Sequence, residues 1–462
     1  MNWKKLIRIP VFFLSALLVI AGIQNLFKIR DYSIYSREKG FRQEKRNTLD
    51  AVYIGASHVF SFYEPPLAWE KYGLAVFDYA IPSMPLASVK YRIKEAVKTQ
   101  PDALYIINLN CFKSTKVYNQ NLHRSLDYMP WSLNKLQMMG KLFEKAGYKG
   151  SRIAEYFMPI IRFHSSWSEL KSTDYDHPVN GLKGAYTYGP FMTTVTDMTG
   201  QFSFTEERGE LTSDQAEALE DILGYCDEKN LKVLFVMVPQ KLDDTLLAQI
   251  NTVKDAVSER GYDVLDLRDR MEEMGIRFDE DFHNENHLNI HGAIKFTDYL
   301  ARYLLENYGF EDKRGRSGWE SWDTSVSLYL DEISPFCLDF ERSIAPRDNS
   351  LEAPQVGLEV SAEASVTVNW EEVPGADGYA VYCKTPGVQK DAWMRLAQTG
   401  AGERSFVHEG LSAGETYTYT VVPFREDGEV VAYGSFDPAG VSVAVPGEAG
   451  SSLSAGEEDD ES

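Results

Sequence analysis

From about residue 50 onward, short unbroken apolar runs alternate with longer amphipathic stretches. Five runs read as strands, at 51–54, 75–77, 103–107, 232–238 and 263–267. They are mainly apolar, as strands covered on both faces should be. Helical periodicity fills the gaps at 86–99, 213–229, 242–260 and 292–308. Strand–helix alternation of this kind predicts an α/β domain, a parallel sheet with helices on both faces. Ligands on such sheets bind at the carboxyl ends of the strands.

Three segments break that rhythm. Residues 9–23 are apolar and uncharged, with Lys4, Lys5 and Arg8 before them. Counting its flanks, this run predicts an uncleaved single-pass transmembrane helix with a cytoplasmic N-terminus. A cleaved signal peptide is the rival, but no small-x-small site follows the run. Lys28, Arg30, Arg37, Lys39, Arg42, Lys45 and Arg46 lie beyond it and weaken the orientation argument without reversing it. Residues 112–207, rich in aromatics and Met, read as an insertion between the third and fourth strands, densest at 162–167. An insertion on that edge can form a lid or groove, or simply pack its own small core. Beyond 354, Val366, Val368 and Trp370, then Tyr379, Val381 and Cys383, then Tyr417, Tyr419 and Val421, alternate at period two between Gly/Pro turns. That is an all-β sandwich signature.

The expected order is therefore an anchor at 1–30, a juxtamembrane segment at 31–47 and an α/β domain at 48–310. A connection at 311–353 follows, then a β-sandwich at 354–446 and a disordered acidic tail at 447–462. Trp319, Trp322 and Phe336 suggest that the connection packs on something. The length, 462 residues, suits several domains, and 44% hydrophobic content supports real cores. A net charge of -22 argues against nucleic acid as a partner, because phosphates demand a basic surface. Cys111, Cys226, Cys337 and Cys383 form no CxxC pair and read as small buried hydrophobes.

Two segments carry candidate chemistry. Gly55-Ala56-Ser57-His58 directly follows the first strand. A serine there is exposed at the sheet's carboxyl edge, and Gly55 is expected to permit a tight turn. Asn284-Glu285-Asn286-His287-Leu288-Asn289 precedes the last helix. The topology can bring His287 beside Ser57, and a serine nucleophile needs an imidazole to take its proton. His283, His287 and His291 are spaced by four, which on one helix would suit zinc. The intervening residues read as a loop and cap, so no metal is expected. His58 reads as a packing residue.

Gly-x-Ser-His after the first strand, with His-Leu-Asn and then Gly292-Ala293 before the last helix, resembles the first and last blocks of SGNH/GDSL hydrolases. The spacing is similar to the membrane-anchored branch that includes alginate O-acetylation proteins and the lipoteichoic acid D-alanyl transfer protein. The resemblance spans roughly residues 48–310 and implies a three-layer α/β/α, flavodoxin-like fold. It implies cofactor-free acyl transfer or ester hydrolysis on cell-surface polymers of a bacterial cell, outside the membrane. Ser57 then matches the nucleophile and His287 the base. Asn284 stands where the family has Asp; Asp281 and Glu285 are off-register alternatives. The implied oxyanion donors are Asn110 and, as a poorer match, Ser83; Ala56 replaces the Asp of Gly-Asp-Ser. The early-strand Trp370 and the Leu411–Tyr417 corner resemble a fibronectin type III domain over about 90 residues. Two functions follow as expectations: a Ser-His esterase or O-acyltransferase, or a catalytically inactive scaffold for glycan binding or surface-complex assembly.

Overall fold

The five apolar runs become five parallel strands, β1 (Ala51–Ile54), β2 (Val76–Asp78), β3 (Leu104–Asn108), β4 (Val233–Met237) and β5 (Asp263–Asp266), in the order β2-β1-β3-β4-β5. The computed structural model describes residues 3–27, 31–148, 153–163, 165, 168, 170, 172–176, 178–179, 181–186, 196–279, 281–333, 348–361, 364–384, 393–427 and 430–446. Trp167, Phe336, Cys337 and the 447–462 tail lie outside these residues, as does the side chain of His291.

In chain order the helices of the first unit are α1 (Trp3–Phe27), α2 (Tyr32–Gln43), α3 (Ser57–Phe62), α4 (Pro65–Tyr72), α5 (Val89–Val97), α6 (Asn119–Leu126), α7 (Leu133–Lys145), α8 (Ala154–Phe157), α9 (Pro159–Phe163), α10 (Thr173–Asp176), α11 (Ser213–Lys229), α12 (Asp244–Glu259), α13 (Met271–Met274), α14 (Ile290–Tyr308) and α15 (Glu320–Ile333). Alternate strand residues face opposite ways, so the sheet builds two cores. Val52, Ile54, Tyr105, Ile107 and Phe235 pack with α5, α11 and α12. Ala51, Tyr53, Leu104, Ile106 and Val236 pack with α3, α13 and α14. Thr212 caps α11 in a reciprocal capping box with Gln215, which satisfies two otherwise orphaned amide donors.

The strand order places a topological switch between β1 and β3, where chain direction across the sheet reverses and a crevice opens at the carboxyl ends. Just before α14 lies an unforeseen antiparallel pair, β6 (Phe282–Asn284) and β7 (His287–Leu288). Strands of three and two residues are too short to announce themselves by alternation.

Two other segments depart from expectation. α15 lies in the presumed connection, and Trp322 is buried in the first core, donating from Nε1 to Glu44 at 3.1 Å with its ring 5.5 Å from Trp69. A buried indole needs such an acceptor. At the N-terminus, α1 forms over the apolar run, yet among the described residues no helix is long and apolar enough to cross a membrane. The insertion is helical, α6 to α10, and Leu122, Leu126, Met138, Met139, Leu142, Phe143 and Tyr156 make its own small core.

The described residues divide at Leu330 into two units. In the second, β8 (Val356–Val360), β9 (Val366–Trp370) and β12 (Ser405–His408) form one antiparallel sheet. β10 (Gly378–Lys384), β11 (Met394–Gly400), β13 (Thr416–Asp427), β14 (Val430–Tyr433) and β15 (Val441–Ala444) form the other. Trp370, Tyr379, Val381, Tyr419 and Val421 fill the core between them. The Ser412 N–H donates to Tyr417 Oη at 3.0 Å, closing the corner before β13. Cys111, Cys226 and Cys383 are buried free thiols.

Emptying the Trp322 site should be costly. Trp322→Ala is expected to destabilise the α/β unit by about 3–5 kcal/mol, measured as a lower urea midpoint at unchanged slope; an unchanged midpoint would show that α15 does not belong to this core.

Candidate active site

Ser57 stands at the carboxyl end of β1, as the first residue of α3, with Ala56 in the cap position. Gly55 precedes it for a reason other than turn geometry: its backbone is not left-handed. A Cβ there would lie 2.6 Å from Val59 Cγ2 and 2.7 Å from Asn108 Cβ. The ends of β1 and β3 approach too closely for any side chain, and this contact holds the serine at the crevice.

His287 arrives from the far side on the β6–β7 pair. Its Nε2 lies 2.8 Å from Ser57 Oγ, and its Nδ1 lies 3.1 Å from Asn284 Oδ1. The tautomer follows from a third bond. The Asn286 backbone N–H donates to the same Asn284 oxygen at 2.9 Å. That atom must therefore be the carbonyl oxygen of the amide, an acceptor. Nδ1 must then carry the proton, and Nε2 presents its lone pair to the Ser57 hydroxyl. This is the direction of proton transfer a serine nucleophile requires.

The hairpin is held by groups that sequence reading missed. Asn286 Oδ1 accepts from Gln240 Nε2 at 2.6 Å and from Lys113 Nζ at 3.0 Å. The Lys241 N–H donates to the Glu285 carbonyl at 3.0 Å. The available signal was Asn-x-Asn, whose first side chain commonly accepts from the backbone two residues on. Asp281 clamps the other flank: its carboxylate accepts from Lys295 Nζ and from the Arg277 N–H, both at 2.6 Å. Its carbonyl accepts from Asn289 N–H at 3.0 Å and leaves a Cβ on Gly292 only 2.4 Å away. Asp281 is thus committed to the hairpin. The Glu285 carboxylate accepts from the neighbouring Asn286 side chain at 3.3 Å. Of the three candidates, the structure puts Asn284 against the imidazole.

The oxyanion candidates fare differently. Asn110 donates both amide hydrogens, to the Val238 carbonyl at 3.2 Å and to Gln240 Oε1 at 2.9 Å, and accepts from the Val238 N–H at 3.0 Å. Its side chain is spent joining the ends of β3 and β4, so it has no N–H left for an oxyanion. Ser83 is exposed in left-handed conformation at φ 53° and its carbonyl accepts from Asn121 at 3.0 Å. No described hydrogen bond links it to Ser57.

Burial sets the protonation states. His287 is pushed down to about 4, first by desolvation and then by His283 and the Lys113 charge. His58, whose ring lies 5.9 Å from that of His287 at 28°, is pushed down to about 3 by burial. Both imidazoles are neutral near pH 7. The three histidines spaced by four do not share one helix: His283 lies on β6, His287 on β7 and His291 in the first turn of α14. Among the described residues no group of three or more His, Cys, Asp or Glu could hold a metal ion.

No family model matches the sequence, and none of the curated proteins compared with it does. Solved structures similar to part of the chain include fibronectin type III domains, matched over a small share of its length. The fn3 domain of human contactin 1 is 21% identical, with 23% of this chain and 88% of that one covered and a TM-score of 0.19. The sixth such domain of human fibronectin type III domain containing protein 3 is 19% identical, with 21% and 88% covered and a TM-score of 0.17.

A pH dependence follows from the two histidines. Their folded values lie below the unfolded one, so the unfolded chain binds protons first as pH falls. Stability is full above about 6.5 and is lost on acidification toward 4 and 3. Each such group adds up to about 1.4 kcal/mol per pH unit in that window. His58→Leu should flatten the slope of unfolding free energy between pH 6 and pH 4; an unchanged slope would show that His58 does not titrate as its burial dictates.

Proposed function

We propose that this chain is a serine esterase or O-acyltransferase of SGNH type, acting outside the membrane on an ester or polymer at the cell surface. One observation carries the reading: a hydroxyl and an imidazole from segments 230 positions apart meet at 2.8 Å at the strand ends, with the tautomer set for proton removal. The parallel α/β architecture is consistent with it. On this reading Ser57 Oγ attacks the ester carbonyl while Nε2 takes its proton. The tetrahedral intermediate collapses, the leaving alcohol takes that proton from the imidazolium, and an acyl-enzyme remains. Water or a glycan hydroxyl then attacks, with His287 as base, and releases acid or a new ester. Asn284 orients the ring as a neutral acceptor. The scheme calls for no cofactor. The helix α1 serves as membrane anchor, and the β-sandwich, read as fibronectin type III-like, serves as spacer or binding module.

A second reading has its own support. The orienting group is an amide, which cannot stabilise imidazolium as an anion does, and Asn110 has no free donor for an oxyanion. Under that reading the unit is an inactive scaffold for glycan binding or complex assembly.

The discriminating experiment is fluorophosphonate labelling together with hydrolysis of an activated acetyl ester by the full chain. Labelling is expected at Ser57, absent in Ser57→Ala, and His287→Ala is expected to lower kcat/KM by about 10²–10⁴. No labelling of folded protein would favour the scaffold. Because His287 titrates at about 4, the acid limb of kcat/KM is expected near that pH and not near 6.5. Asn284→Asp, which adds an anion beside the ring, should move this limb upward and raise the rate; a limb that stays put would mean the ring does not feel position 284.

A further inference from the structure

Outside α1, the exposed large apolar side chains gather mainly in the insertion. Trp131, Leu133, Leu136, Phe157, Met158 and Ile161 are all exposed, with Leu133 at 72%. They are contiguous. Leu133 and Leu136 are three apart on the solvent side of α7, whose opposite face buries Met138, Met139 and Leu142. Trp131, just before α7, stacks on Phe157 at 5.0 Å and 19°. Met158 follows Phe157 directly, and its carbonyl accepts the Ile161 N–H at 2.9 Å. Ile161 lies on α9, and α9 packs against α1. α1 itself exposes Ile9, Phe12, Phe13, Leu17 and Leu18. Through α9 the apolar residues of the insertion adjoin the N-terminal helix. Contiguous exposed apolar surface of this kind marks an interaction site.

We propose that this face of the insertion rests in the interfacial layer of a lipid bilayer, alongside α1. The inference builds on the reading of α1 as the membrane contact and makes the insertion a second one. Three observations favour lipid over a protein partner. The patch adjoins α1 through α9. Its rim carries Trp131, an exposed indole of the kind that suits the headgroup layer. Charge agrees as well, because residues 1–46 hold ten Lys and Arg against three Asp and Glu in a chain of net charge -22, so the N-terminal segment is cationic in sequence and suits anionic headgroups. Bilayer contact through two elements also holds the α/β unit in a fixed attitude to the membrane, where a helix alone would leave it free to rotate.

Single cysteines at Leu133, Phe157, Leu17 and Phe204, in a Cys337→Ser full chain, can each carry an environment-sensitive fluorophore. All four replaced residues are exposed, so folding is not at stake. With phosphatidylcholine–phosphatidylglycerol vesicles, blue-shifted emission and quenching by brominated lipid are expected at 133, 157 and 17 and not at 204. Quenching at 17 alone would overturn the proposal while leaving the α1 reading standing. A blue shift at 133 and 157 without vesicles, growing with protein concentration, would also overturn it by showing that a second copy covers the face.

Discussion

The Asn286 backbone N–H donates to one oxygen of Asn284, and the protonation pattern of the site follows from that bond. It fixes which end of the Asn284 amide is the acceptor, which fixes the proton on His287 Nδ1, which leaves Nε2 free to receive the serine proton. A carboxylate would accept from either ring orientation without help. An amide does so only if its flip is set, and here the backbone sets it. The arrangement needs the short hairpin β6–β7, and the hairpin is held by Gln240, Lys113 and Lys241 on one side and Asp281 on the other.

Burial and charge work together around that bond. His287 is largely withdrawn from water and has no anion at its back, so its neutral form is favoured. A neutral imidazole is ready to accept a proton at ordinary pH, but the imidazolium it becomes lacks a compensating charge. The site is therefore arranged well for orientation and less well for stabilising the charged intermediate. His58 beside it adds a second buried neutral ring and no charge.

Much of the first unit was legible from periodicity. The five strands and the helices at 213–229 and 292–308 appear within one or two residues of where apolar spacing and capping residues put them. Asn289, with its side chain accepting from the Gly292 N–H, caps α14 as its residue type favours. Less legible were features whose cause lies across the fold. Gly55 looked like a turn glycine and is a close-packing one, because Asn108 stands where its side chain would be. Asn110 looked like an oxyanion donor at a strand end and is a tie between strands. Trp322 was expected to pack on something, but that it rides on a helix and fills the first core came only from the fold.

The sequence alone determined the elements, since strand and helix periods are local properties, and it determined the residue types available at the strand ends: a serine, an imidazole and an amide in place of an acid. The tertiary structure decided which of these meet. Hydrogen-bond capacity is finite, and each group's capacity is taken up by whatever the fold brings within about 3 Å. For Asn110 the partner is the Val238 backbone, 128 positions on, and for His287 it is the Ser57 hydroxyl, 230 positions back. No local pattern records such pairings, because they exist only once the sheet has closed around its switch point.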